Sequence, residues 1–205
     1  MPKTYFIGGA PRSGKTTVIQ ELIAQKPMLA TSSDAIRSVA KGILTPQSNP
    51  RLFKTARGKF GSEQHITAMK NEPERVLEYE LGEAEETWKS VLNFISYYQA
   101  DGKAVAIEGV AVIPGQLASA DLDYKAVYIV NLTDQTEAIL KYAHANSSDW
   151  INKYDDEIIR AFCSFNQLWN RYYAEEANKY NFPVVEVDSL NFSASIRQAV
   201  DILIS

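Results

Sequence analysis

Cysteine is almost missing from this 205-residue chain. Cys163 stands alone, so no intramolecular disulfide can form. Histidine is nearly as scarce, and His65 and His144 leave no Cys/His set for structural zinc. No apolar run approaches the roughly 18 residues of a membrane-spanning helix. The stretch after Met1 also lacks the basic region, apolar core and cleavage site of an export signal. A cytoplasmic protein with no membrane attachment is the expectation. Positive charge is not in excess either: 21 Lys and Arg face 25 Asp and Glu, a net charge of −4. No broad field therefore attracts a nucleic-acid backbone, and any anion site must be local. Neither internal repeats nor low-complexity tracts occur.

What is present is the balance of an ordinary folded chain, 45% hydrophobic and 22% charged, long enough for one α/β core. Short apolar runs suited to buried parallel strands recur at Thr4 to Ile7, Met28 to Thr31, Ala104 to Ile107, Ala126 to Val130 and Pro183 to Val187. Helical patterns separate most of them, which is the alternation of βαβ units. Val18, Ile19, Leu22 and Ile23 give the first helix one apolar stripe, and Pro27 stops it. A second helix follows Asp34. Between Thr45 and Ser62 the pattern lapses among Pro46, Pro50, Gly58 and Gly61, predicting loop or flap. Long helices are expected over Glu74 to Tyr98 and about Asp155 to Tyr180, and a last one over Ser193 to Ile204. On the second of these, Phe162, Phe165, Trp169, Tyr172 and Tyr173 recur at helical spacing and read as core, not as a base-stacking platform.

The segment Gly9-Ala10-Pro11-Arg12-Ser13-Gly14-Lys15-Thr16 matches G-x-x-x-x-G-K-[ST] in full, after a strand and before a helix. Glycines allow successive backbone N–H groups to turn inward as an anion nest at the positive end of the helix. Lys15 would reach the β- and γ-phosphates, and the Thr16 hydroxyl would ligate Mg²⁺. With Thr17 completing the run, the whole of 9–17 is the candidate nucleotide site. A second candidate site lies where strand two ends in Thr31-Ser32-Ser33-Asp34, with Arg37 three residues on, at the sheet edge where open α/β sheets bind ligands. Ser33 or Asp34 could cap the next helix. Asp34 could also accept the proton of an attacking hydroxyl, with Arg37 holding the acceptor.

Gly8 to Thr17, Ser33 to Arg37, and Ile107-Glu108-Gly109-Val110 running on to Pro114 together resemble the small-molecule kinases of the adenylate-kinase-like group, nearest to 2-phosphoglycerate kinase-type proteins. The likeness continues through Ile159-Arg160 and Ala177 to Val187, while about 45 to 75 and the lid fit poorly. The resemblance implies an α/β fold of the P-loop NTPase type: a three-layer sandwich with a five-stranded parallel sheet in the order 2-3-1-4-5, a helical substrate flap at about 42–100 and a lid at about 144–156. It implies ATP and Mg²⁺ as cofactors, Asp34 and Glu108 flanking the reacting phosphate, and Glu108 orienting the metal through water or serving as an alternative base. A small-molecule acceptor is the expected partner of a monomer or homodimer.

The flap segment Arg51 to Lys59 carries four cations in nine residues. A phosphorylated or carboxylated acceptor would suit it, with Arg57 as candidate contact; a solvated loop would account for it as well. His65 is expected on the flap surface. Kinases of this group place arginines in the lid, yet Ala143 to Trp150 holds none. Lys141, Lys153 and Arg160 remain, and Arg160 is favoured because it matches the family's helix. The base is expected to meet the loop Asp188 to Phe192. Two other readings stay open: a 5′-hydroxyl polynucleotide kinase, and a nucleotide-binding protein without transferase activity.

Overall fold

The computed structural model describes residues 3–53 and 62–205. Five strands, β1 (Thr4–Gly9), β2 (Leu29–Ser32), β3 (Val105–Gly109), β4 (Tyr124–Val130) and β5 (Val184–Glu186), form one sheet in the order β2-β3-β1-β4-β5. Every pairing is parallel. This is the expected order. The predicted strands lie within a few residues of the observed ones, and Val187 N–H extends the last ladder to Val130 O at 2.8 Å.

Period-two alternation splits the strand side chains between two cores. Tyr5, Ile7, Val127, Ile129 and Val185 point to one face, where α1 (Lys15–Gln25) and α9 (Phe192–Ile204) cover them with Val18, Leu22, Ile196 and Val200. Phe6, Val105, Ile107, Tyr128 and Val130 point to the other face. There α5 (Pro73–Ala100) and α8 (Asp156–Lys179) supply Trp88, Val91, Ile95, Trp169 and Tyr173. The layers are therefore helix, sheet, helix. Of the aromatic residues expected in the core on α8, Phe162, Phe165, Trp169 and Tyr173 are buried and Tyr172 packs at the margin.

Shorter helices complete the described chain: α2 (Ser33–Ile43), α3 (Pro50–Phe53), α4 (Glu63–Asn71), α6 (Pro114–Ala118) and α7 (Thr136–Ala145). A small third cluster joins Leu140 and Ala143 of α7 to Ile159, Phe162 and Cys163 of α8 and to Ile151 between them.

Two local expectations are corrected. The N-cap of α2 is Ser32, whose extended backbone lets its hydroxyl accept the Ala35 N–H at 3.1 Å, so Ser33 and Asp34 already lie within the first turn. His65 is buried in α4, not on a flap surface, and burial pulls its pKa below the usual histidine value. Three flap cations, Lys54, Arg57 and Lys59, lie outside the described residues.

Candidate active site

The register of the sheet sets the height of the site. Glu108 pairs with Ile7 on one side and with Ser32 on the other, so β1, β2 and β3 end together at the carboxyl edge. From that edge the phosphate loop turns into α1. Its backbone needs positive φ at Gly9 (144°) and Gly14 (99°), and Arg12 adopts 60° as well. Ser13 Oγ is buried without a hydrogen-bond partner among the described residues, a polar atom that a bound anion's shell would satisfy.

Lys15 is the buried cation of this loop, only 7% exposed, and its Nζ donates to Ala10 O at 2.6 Å. Burial lowers its pKa, while the fields of Glu108 and then Asp34 oppose that shift. On the next residue, Thr16 Oγ1 donates to Glu108 Oε1 at 3.3 Å. Glu108 itself is pushed above the ordinary carboxylate range by burial; Lys15 works against this and Asp34 adds to it. Lys15, Glu108 and Asp34 thus share one electrostatic neighbourhood, although they are drawn from α1, β3 and α2. A hydroxyl and a carboxylate beside a buried lysine at a helix N-terminus are the donor set that a polyphosphate with a hard divalent cation requires.

Asp34 is fixed relative to Glu108 by its neighbour. Ser33 is wholly buried and accepts the Ala111 N–H at 3.2 Å, while Gly109, at φ 139°, leaves the space in which its hydroxyl sits. A Cβ at Gly109 would lie 2.0 Å from Ser33 Oγ. The turn after β3 and the start of α2 are thereby clamped.

On the outer side of Asp34, Arg37 Nη2 meets Asp34 Oδ1 at 2.9 Å and Arg37 Nη1 meets Glu83 Oε1 at 2.9 Å. Lys41 reaches the same Glu83 oxygen at 2.8 Å. Glu83 is buried on α5, and one turn earlier Glu80 accepts Trp169 Nε1–H at 2.9 Å. Burial raises Glu80 to about 7; the Trp169 bond and Arg37 oppose the rise, and Glu83 and Asp34 reinforce it. Beneath them Tyr173 stacks on Trp169 and donates its hydroxyl to Val110 O, behind the clamp. Ser33 reads from the sequence as a candidate cap at the second candidate site, and neither Glu80 nor Glu83 was singled out. A signal existed for the last two: they interrupt the apolar stripe of α5 between Val76 and Trp88.

The remaining candidates sit farther round. Arg160 donates to Glu137 Oε1 at 2.6 Å on an exposed flank, where it lines a cleft of about 530 Å³ with Met69, Lys70 and Arg171. Asn166 on α8 donates to Pro11 O at 2.8 Å, and Arg12 Nη1 reaches Asp149. Thr17 lies exposed on the first turn of α1, and Phe192 lies against Gly14. Arg57 is outside the described residues.

No family model matches the chain. A 2-phosphoglycerate kinase from Methanococcus vannielii is 24% identical over 201 residues, which are 97% of this chain and 63% of that protein. The chain therefore spans less than two thirds of that relative's length. Among solved structures, shikimate kinase from Acinetobacter baumannii in complex with shikimate superposes with a TM-score of 0.50 at 16% identity, covering 99% of this chain and 91% of its own. A dephospho-CoA kinase from Campylobacter jejuni gives a TM-score of 0.47 at 14% identity, over 98% and 96%. The shikimate kinase likeness concerns the fold, a parallel sheet in the order 2-3-1-4-5 flanked by helices.

Proposed function

We propose that the protein is an ATP-dependent phosphotransferase that moves the γ-phosphate of Mg·ATP to a hydroxyl of a small molecule. The observation that carries this reading is that Lys15 at the start of α1, Glu108 in β3 and Asp34 in the first turn of α2 feel one another's charge beyond the ends of three adjacent strands. Nucleotide binding alone would need only the first. In this reading residues 9–17 wrap the phosphates, and Lys15 balances charge on the β- and γ-oxygens. The Thr16 hydroxyl, and Glu108 through water, would hold Mg²⁺, which would supply neutralisation of the charge that develops on the phosphate oxygens.

Asp34 takes the acceptor's proton as the hydroxyl oxygen bonds to the γ-phosphorus. The bond from that phosphorus to the bridging oxygen breaks, and ADP leaves. Arg37, steered by Asp34 and Glu83, orients the acceptor from the flap side. Arg57 of the flap is a further acceptor contact, and Arg160 closes from the lid side once its bond to Glu137 exchanges. The flap is assigned to about 42–100 and the lid to about 144–156. No described helix is long and apolar enough to cross a membrane, and a cytoplasmic location is part of the same reading.

The test is coupled ADP formation by the purified protein with Mg·ATP and a panel of hydroxyl compounds, beginning with 2-phosphoglycerate because of the relative's name. ADP should appear only with the right acceptor. Hydrolysis at the same rate whatever is added would count against transfer. Tight ATP binding with no turnover across the panel would favour a binding protein without chemistry.

A further inference from the structure

Arg12 is an anomaly inside the phosphate loop. Its φ of 60° lies in the left-handed region, where an L-residue other than Asn or Asp persists only if its surroundings over-determine it. Here they do. Arg12 Nη1 donates to both carboxylate oxygens of Asp149, at 2.9 and 3.2 Å, across 137 residues of sequence. The guanidinium carbon stands 5.5 Å from the centre of the Tyr142 ring. Asn166 holds the preceding carbonyl, that of Pro11, at 2.8 Å. Both members of the ion pair are sheltered, at 16% and 15% side-chain exposure.

Asp149 is anchored in turn. It accepts the Ile151 N–H at 3.0 Å, and Ile151 is buried against α7 and α8. The segment between these helices, 146–154, carries no arginine, but an arginine of the phosphate loop reaches out to it.

We infer that Arg12 is a positioning residue: bonded to Asp149, it ties the segment 146–154 to the phosphate loop, so that the shape of the anion nest and the docking of that segment form one equilibrium. The Arg12 amide belongs to the nest, and its left-handed backbone is held by the same side chain that holds the segment. Binding of a nucleotide's phosphates in the nest therefore tightens the segment, and the docked segment tightens nucleotide binding by the same factor. This inference rests on the nucleotide-binding half of the proposed function and is independent of phosphoryl transfer.

Two substitutions separate the parts. Asp149→Asn removes the charge and leaves a single neutral oxygen to hold Arg12 at positive φ; Arg12→Gly removes the side chain but is at ease at positive φ. The first readout is the rate of tryptic cleavage after exposed Lys153 in nucleotide-free protein, and the second is affinity for a non-hydrolysable Mg·ATP analogue. For Asp149→Asn, cleavage should quicken about tenfold and analogue affinity fall about tenfold, the worth of one charge-assisted bond. For Arg12→Gly, cleavage should quicken similarly, and the analogue should no longer slow cleavage as it does in the wild type. Arg12→Lys should restore part of the slow cleavage. Wild-type cleavage rates in Asp149→Asn, or undiminished protection by the analogue in Arg12→Gly, would overturn the inference. If the wild type bound no analogue, the nucleotide reading and the coupling would both fail, and the nucleotide-free cleavage rates would still decide whether the tie exists.

Discussion

The two halves of the site are built in opposite ways. Around Lys15 the phosphate loop is one contiguous run, whose backbone donors, buried cation and hydroxyl come from neighbouring residues; Gly9 and Gly14 turn it, and Arg12 and Pro11 tie it to Asp149 and Asn166. Around Asp34 the proposed acceptor side is assembled from α2, α5 and α8, with Arg37 shared between Asp34 and Glu83 and with Glu80 pinned to Trp169. The first half can be recognised in any strand–loop–helix setting. The second exists only when helices distant in sequence have packed, so its chemistry depends on tertiary structure and can diverge while the first stays constant.

That contrast can be broken most forcefully at its seam. Asp34→Asn should leave Mg·ATP affinity unchanged while transfer to the acceptor falls by about 10²–10⁴-fold, the usual contribution of a general base. Equal loss of both would mean that the halves are not separable. Lys15→Ala should act the other way round, weakening nucleotide binding and lowering transfer by about 10²–10³-fold, read by calorimetry beside the coupled assay.

On the acceptor side, Glu83→Gln removes the carboxylate that both Arg37 and Lys41 use. A fall of about 1–3 kcal/mol in unfolding free energy is expected in urea titrations, with little change in nucleotide affinity. If stability were untouched, Glu83 would not be holding the acceptor side together.

Glu80 sharpens the comparison by pH. Its folded pKa of about 7 lies above the ordinary glutamate value. The neutral form is therefore favoured by the fold, and the stability this contributes is fully present below the unfolded pKa and lost as pH rises through about 7. Glu80→Gln keeps an oxygen for Trp169 and should exceed the wild type by about 1–2 kcal/mol at alkaline pH, the gap closing in mild acid. A pH-independent difference would remove the titration from the account. The smallest effect belongs to Ser32→Ala, where loss of the α2 cap should cost about 1 kcal/mol in thermal unfolding.

Much of the first half was legible in the sequence because its signals are local: apolar runs at strand length, a loop with three fixed positions, Pro27 after α1. The order of the strands came with the family resemblance and is matched by the sheet. The second half was legible only in outline. Ser32, Ser33 and Asp34 are all competent caps, and only the extended backbone at Ser32 decides among them. His65 looks like a surface polar residue until α4 packs on α8. The pairing of Arg12 with Asp149 has no sequence signature, since nothing in either segment encodes the 137-residue return of the chain. Arg160 was chosen by resemblance, and its described partner is Glu137 on the neighbouring helix.

The contact between Gly109 and Ser33 has a consequence for how such a site could be silenced. The space that Gly109 leaves gauges how far Asp34 of one half stands from Glu108 of the other, because the serine hydroxyl rests where a methyl group would be. One added carbon there would act as a wedge, leaving the phosphate loop intact and driving the two halves out of step. On the proposed function, a chain that still grips its nucleotide but no longer passes the phosphate on would be a single methyl group away.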